Sequence, residues 1–130
     1  MIKNISLISI RKIKKADIKK AKKLVYLYQK ERNIKPRKIT DAKFWEIAKN
    51  SWVDTKVRSI VTIEETTLRL IIIDTKYRGM GYGSALIEYI KDKVSRLFID
   101  KPYNKLLLKF YKKYGFKKVY DNKKYIMMTK

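Results

Sequence analysis

Apolar residues recur along this chain in two rhythms, and the alternation between them lays out the expected elements. The Ile-rich first ten or so residues read as a strand. From Asp17, a residue suited to an N-cap, to about Glu31, the apolar positions Ile18, Ala21, Leu24, Val25 and Tyr28 share one side at about 100° per residue. Lys15, Lys19, Lys22, Lys23 and Lys30 gather on the other side, giving an amphipathic helix with a basic outer face. Arg32 to Lys38, containing Pro36, is a connector. Thr40 or Asp41 then caps a short helix carrying Phe44, Trp45, Ile47 and Ala48.

The rhythm changes at Val57 to Ile63, where β-branched residues nearly alternate with polar ones. A polar turn at Glu64 to Thr67 and a second run from Leu68 to Ile73 complete an expected hairpin. Leu70 to Ile73 is apolar without alternation, as in a central strand covered on both faces. A helix follows from about Gly83 to Ser95, with Tyr82, Ala85, Leu86, Tyr89, Ile90 and Val94 as its apolar stripe. Leu97-Phe98-Ile99 is short enough for another buried strand, and strand, helix, strand implies a right-handed parallel crossover. Pro102 opens a last helix from about Tyr103 to Tyr114, and Gly115 ends it. Leu106, Leu107, Phe110, Tyr111 and Tyr114 form its apolar face, opposite Lys105, Lys109, Lys112 and Lys113. Strands at Lys117 to Tyr120 and Lys124 to Met128, joined by Asp121-Asn122, close the chain. The fold class expected is α/β, a mixed sheet flanked by helices, in a single domain over residues 1–130.

Composition narrows the chemistry. There is no histidine and no cysteine. This excludes disulfides, thiolate nucleophiles, Cys-based zinc sites, imidazole bases and His-containing triads, and no metal site is expected. Catalysis is left to Tyr, Asp, Glu, Lys, hydroxyls and backbone amides. The apolar run Leu70 to Ile73 is far short of the roughly 20 residues of a membrane span, and the opening Ile-rich stretch is too short for a signal peptide. The expected location is therefore cytoplasmic, with no membrane association.

Charge then becomes the outstanding property. With 34 basic and 12 acidic residues the chain carries a formal +22. The surplus is uneven: residues 1–50 hold sixteen bases and four acids, residues 51–100 eight and seven, and residues 101–130 ten and one. Two explanations stand side by side. An AT-rich coding bias favours Lys, Ile, Asn and Tyr, and an anionic partner such as DNA or RNA would be met by the lysine-rich helices at both ends.

The stretch Arg78-Gly79-Met80-Gly81-Tyr82-Gly83 lies between the apolar strand and the amphipathic helix. Glycines let backbone N–H groups converge on one point, and a helix N-terminus adds a positive dipole end, so this loop can hold phosphate without a charged side chain. At these residues the sequence resembles the GNAT N-acyltransferase superfamily. Leu70 to Asp74 followed by Tyr77 to Leu86 is similar to its acetyl-CoA signature, Arg/Gln-x-x-Gly-x-Gly/Ala, matched at Arg78, Gly81 and Gly83. Asn104-x-x-Leu107-x-x-Phe110-Tyr111 followed by Gly115-Phe116 is similar to its second signature, Asn-x-x-Ala-x-x-Phe-Tyr then Gly-Phe. The likeness is firm from about residue 68 to 128.

The resemblance implies a GNAT-like fold, acetyl-CoA as cosubstrate and direct transfer of the acetyl group to an amine acceptor. It implies that the pyrophosphate sits on the backbone of Arg78, Gly79, Met80, Gly81, Tyr82, Gly83 and Ser84, and that the pantetheine arm bonds to Ile71, Ile72 and Ile73. It further implies that Asn104 lies beside that arm and that Tyr111 protonates the departing thiolate, a role suited to a phenol of pKa about 10. For the base, Glu64, Glu65 and Asp100 are the carboxylate candidates, with Asp100 preferred because ligands gather beyond the carboxyl ends of parallel strands. A water relay or an amine already neutral would serve as well, and Asp100 is equally suited to capping the last helix.

Two departures from the family pattern stand out. Thr75 replaces a common proline, and residues 51–67 look too short for both strands the family often places there. Three functions fit the whole. One is an acetyltransferase whose amine acceptor lies on or next to a nucleic acid, an aminoacyl-tRNA or a nucleic-acid-bound protein. The second is a small-molecule or protein acetyltransferase with merely solvated basic faces. The third is a non-catalytic nucleic-acid-binding protein of the same shape.

Overall fold

A computed structural model describes residues 8–36, 38–103 and 105–130. They form a seven-stranded mixed sheet of order β1-β2-β3-β4-β5-β7-β6. Strand β1 (Ile10–Lys12), helices α1 (Ile18–Glu31) and α2 (Asp41–Ala48), and strands β2 (Ser51–Asp54), β3 (Ser59–Glu64) and β4 (Thr67–Ile73) make the first half. Helix α3 (Tyr82–Ile90), β5 (Arg96–Asp100), helix α4 (Lys105–Lys113), β6 (Lys117–Asp121) and β7 (Tyr125–Thr129) make the second. All neighbouring strands are antiparallel except β4 and β5, which run parallel on either side of the α3 crossover.

The sheet separates two apolar cores. On one face Ala21 and Leu24 of α1 and Phe44 and Ala48 of α2 pack on Val53, Ile60 and Ile72. On the other, Leu86, Ile87 and Ile90 of α3 and Tyr111 of α4 pack on Val61, Leu68, Leu97, Ile99, Ile126 and Met128. The two lysine-rich helices therefore lie on opposite sides of the sheet.

The expected order of elements is present, with instructive corrections. Residues 51–67 do accommodate two strands and the start of a third. Strand β2 is only four residues long, and its Ser51 and Asp54 ends disguise it as loop. Both polar ends are buried because they are bonded: Ser51 Oγ lies 2.7 Å from Thr62 Oγ1, and Asp54 accepts from the N–H groups of Lys56, Arg58 and Ser59 and from Ser59 Oγ. Val57 belongs to the turn that Asp54 closes, with φ +53°, and not to the strand.

Asp17 is not a side-chain cap of α1. It lies in helical geometry, and its carboxylate accepts from Arg11 at 2.7 and 2.9 Å and from the Lys14 N–H at 2.8 Å. Thr40 does cap α2, its Oγ1 accepting from the Lys43 N–H. Helix α3 stops at Ile90 and tightens into a 3-10 turn, and within it Ile87 is buried while the expected stripe residue Tyr89 is exposed. On α4 the expected core residue Leu106 is exposed. Phe98, read as part of a fully buried strand, is 36% exposed because β5 alternates strictly and, among the described residues, no helix covers its second face. Of the strand expected over the first ten or so residues, positions 1–7 lie outside the described residues, and β1 begins at Ile10.

Candidate active site where two strands part

Strands β4 and β5 pair only at Thr67 with Arg96 and Leu68 with Leu97. At the next residue β4 carries a bulge: Thr62 of β3 faces Leu70 and Ile63 faces Leu68, leaving Arg69 as the extra residue. A bulge bends its strand and increases the local twist. Beyond it the edge of β4 along Leu70 to Ile73 is not paired with β5, and a gap opens toward the carboxyl ends of both strands. The three isoleucines singled out in the sequence border this gap. Ile71 packs toward α3 and α4, and Ile72 toward α1 and α2.

The glycine loop sits at the open end of the gap. Asp74 starts a 3-10 turn through Thr75–Tyr77, its side chain accepting from the Lys76 N–H. Gly79 and Gly81 take φ +75° and +95°, values that disfavour any residue with a Cβ. Among the described residues, none of the backbone N–H groups from Gly79 to Ser84 donates to a protein acceptor; the first such bond of α3 is Ala85 to the Gly81 carbonyl at 2.9 Å. Six donors at the loop and the N-terminus of α3 are thus left without a protein acceptor among the described residues, a supply of N–H groups suited to phosphate oxygens. Gly83 serves packing: a Cβ there would lie 3.3 Å from Ile73 Cδ1 and 3.8 Å from Phe110. Met80 is exposed at the loop tip, and Ser84 is half-buried in the first turn of α3.

Arg78 does not turn its guanidinium to that solvent face. It binds Glu31 at the end of α1 through both terminal nitrogens, at 2.9 and 3.0 Å, and its Nε donates to the Ile73 carbonyl at 3.2 Å. The guanidinium holds the Glu31 carboxyl below the usual glutamate range. A different cation stands at the helix entrance. Arg58 donates to the Tyr82 hydroxyl at 2.9 Å and lies 4.1 Å over the Tyr77 ring, which itself meets Tyr82 edge-on. Sequence reasoning missed both Glu31 and Arg58; they lie 47 and 24 residues from their partners, and no local pattern links them.

Tyr111 is buried on α4 among Phe110, Phe116 and the α3 core. Burial pushes its phenol above the ordinary tyrosine value, and the Tyr28 phenol on α1 adds to the shift. Asp100 ends β5 and, with Leu68, Arg69, Phe98 and Tyr125, lines a groove of about 300 Å³ on the side opposite α3 and α4. Its carboxylate makes no hydrogen bond or ion pair among the described residues. Glu64, by contrast, is exposed at the hairpin end, 3.6 Å from Arg69, and does not line the groove. Asn104 lies outside the described residues.

Comparison with known proteins agrees with this geometry. The family model described as an acetyltransferase (GNAT) domain matches residues 40–118, more than half of the chain. No curated protein sequence matches. Among solved structures, an N-acetyltransferase from Staphylococcus aureus Mu50 is similar with TM-score 0.70 at 16% identity, covering 92% of this chain and 98% of that one. An acetyltransferase from Thermus thermophilus is similar with TM-score 0.68 at 15% identity, covering 95% and 96%. The PaiA N-acetyltransferase from Thermoplasma acidophilum, solved in complex with coenzyme A, is similar with TM-score 0.63 at 18% identity, covering 95% and 98%. At such identities the structures speak for the fold, a mixed sheet flanked by helices, while the match to the family carries the assignment. The chain belongs to the GNAT acetyltransferase family, for which acetyl-CoA is the cosubstrate.

Proposed function

We propose that this chain transfers acetyl from acetyl-CoA directly to an amine, and that the amine is carried on or next to an anionic macromolecule such as a nucleic acid, an aminoacyl-tRNA or a nucleic-acid-bound protein. The observation that carries the reading is that six N–H groups left without a protein acceptor among the described residues follow directly on β4, whose edge beyond Leu68 is not paired with β5.

Acetyl-CoA supplies an activated thioester carbonyl. The N–H groups of Gly79 to Ser84 and the α3 dipole bind its pyrophosphate, with Arg58 adding positive charge nearby. Main-chain groups of Ile71 to Ile73 hold the pantetheine arm by bonds like those of a neighbouring strand, and an N–H on the same edge stabilises negative charge on the carbonyl oxygen. Asp100 takes the proton of the attacking amine, directly or through a water, from the groove side. Tyr111 gives its phenolic proton to the departing sulfur. The proton lost by the amine and the proton gained by the thiolate thus pass through different residues, and no covalent enzyme intermediate is required.

The charge supports an anionic carrier. Lys19, Lys20, Lys23 and Lys30 on α1 and Lys105, Lys109, Lys112 and Lys113 on α4 are exposed and make no ion pair among the described residues. Counterion release makes such contacts steeply salt-dependent. Filter binding to RNA and DNA at two salt concentrations tests the carrier, and calorimetry with acetyl-CoA tests the cofactor. We expect tight low-salt binding lost at high salt, and a single cofactor site. Absence of salt-sensitive binding removes the carrier and leaves the transferase.

A further inference from the structure

The lysine faces of α1 and α4 point away from the sheet on opposite sides, so neither explains how a carrier brings an amine to the gap. The second face of β5, β7 and β6 does. Helices α3 and α4 cover Leu97, Ile99, Ile126 and Met128 on one face of these strands. Helices α1 and α2 cover only the β2 to β4 part of the other, and among the described residues nothing packs over β5, β7 and β6 there.

Strand alternation sets an aromatic row across this bare face. Phe98 of β5 meets Tyr125 of β7 edge-on at 5.4 Å, and Tyr125 meets Tyr120 of β6 at 6.0 Å. Cross-strand aromatic contacts stabilise a sheet, but rings serving only that end would be covered, whereas Phe98 is 36% and Tyr120 51% exposed. Basic groups frame the row. The Arg96 guanidinium lies 5.8 Å over Phe98, Arg69 shares the groove with Phe98 and Tyr125, and Lys117 precedes Tyr120 on the same strand β6. Beyond the end of β5, Lys101, Lys105 and Lys123 line a further depression with Pro102 and Tyr103. Glu64 pairs with Arg69 and Asp121 with Lys101, and Asp100 is the one acidic residue lining the groove, at the end nearest the gap.

Exposed rings in sequence on an open sheet, framed by cations, match one chemistry: flat uncharged bases joined by phosphates. A folded acidic protein surface would satisfy the cations but leave the rings without planar partners. We propose that this face of β5, β7 and β6 is a stacking platform for a single-stranded segment of nucleic acid, which delivers the acceptor amine to the Asp100 end of the gap. The proposal rests on the reading of an anionic carrier given above and names its class and its seat.

The test compares binding of a fluorescent single-stranded oligouridylate of roughly ten nucleotides by the wild-type chain and by Tyr120→Leu, Phe98→Leu, Tyr120→Phe and a variant with Lys109, Lys112 and Lys113 changed to Gln. Leucine keeps apolar packing, so folding is retained, and thermal midpoints confirm it. We expect about a tenfold loss for each leucine variant, as removal of a stacking ring commonly gives, near wild-type binding for Tyr120→Phe, and weaker effects from the lysine variant, confined to low salt. Binding that is salt-sensitive but indifferent to both leucine changes overturns the platform while leaving the anionic carrier in place. No salt-sensitive binding by the wild type overturns both. A concentration-dependent dimer that Tyr120→Leu converts to monomer, with oligouridylate binding unchanged, assigns the face to a second copy and also overturns the platform.

Discussion

The first residue of the glycine signature, Arg78, is bound on both terminal nitrogens to Glu31, the last residue of α1, while its Nε holds the Ile73 carbonyl. One side chain thereby ties the loop to the end of β4 and to the helix on the other face of the sheet. In the proposed cofactor site this tie fixes the loop that carries the backbone N–H groups. Glu31→Gln keeps the shape and loses the charge, and is expected to weaken acetyl-CoA binding several-fold in calorimetry with little change in kcat. The pair is about half exposed, so its effect on global stability is small, about 1 kcal/mol or less.

The same pair gives a pH dependence. Because Arg78 lowers the carboxyl of Glu31, the contribution of the pair is fully present above the ordinary glutamate value of about 4.3 and is lost as pH falls through the lowered one. Acetyl-CoA affinity of the wild-type chain is expected to decline across that acid window. Affinity of Glu31→Gln is expected to be weaker at neutral pH and to lack that step.

Gly81→Glu is expected to abolish acetyl-CoA binding. The substitution forces a side chain onto φ +95° and brings bulk and negative charge to the proposed phosphate donors. Gly83→Ala meets only Ile73 Cδ1 closely, the end of a flexible side chain, and is expected to cost far less. Equal loss of cofactor affinity in the two variants would contradict the separate roles given to these glycines.

Tyr111→Phe is expected to lower kcat by roughly a hundredfold with little change in cofactor affinity. Burial raises the phenol, so the neutral form is favoured in the folded state. That stabilisation is complete below the ordinary tyrosine value of about 10 and fades as pH rises through the folded value. Urea midpoints measured up the alkaline range should therefore fall less steeply in Tyr111→Phe than in wild type. Unchanged kcat would remove Tyr111 as the acid.

Asp54→Ala tests the turn that carries Arg58 to the mouth of α3. The carboxylate satisfies three N–H groups and one hydroxyl around a left-handed Val57. Its removal is expected to cost about 2–4 kcal/mol in denaturant unfolding, as loss of several buried hydrogen bonds to a charged group does.

The order of elements in the second half of the fold was readable because glycine and proline punctuate it, at Gly79 to Gly83 before α3, Pro102 before α4 and Gly115 after it. The sequence also marked the glycine loop between β4 and α3, whose left-handed turns at Gly79 and Gly81 are local and rest on the backbone. What it concealed depends on distant partners. Ser51 and Asp54 read as loop residues because the hydroxyl and amide groups that permit their burial lie on β3 and in the next turn. Phe98 read as core because an apolar residue in an apolar run gives no sign that its side chain stands on the more exposed face of its strand. Glu31 lies at a helix end, where solvated acids are ordinary, and only the folded chain brings it to Arg78. The parting of β4 from β5, on which the site depends, is a matter of pairing between strands and leaves no mark in either strand alone beyond the polar Arg69 within an apolar run.

The most direct test of the account is to incubate the chain with acetyl-CoA labelled in the acetyl group and with fractions enriched in nucleic acid, protein or small amines, then to measure which fraction acquires label and on what atom. The account predicts amide-linked label on nitrogen in the nucleic-acid fraction or in material bound to it, abolished by Gly81→Glu and strongly reduced by Tyr111→Phe. Label confined to free small amines would contradict the anionic carrier, and label that persists undiminished in Gly81→Glu would contradict the site itself.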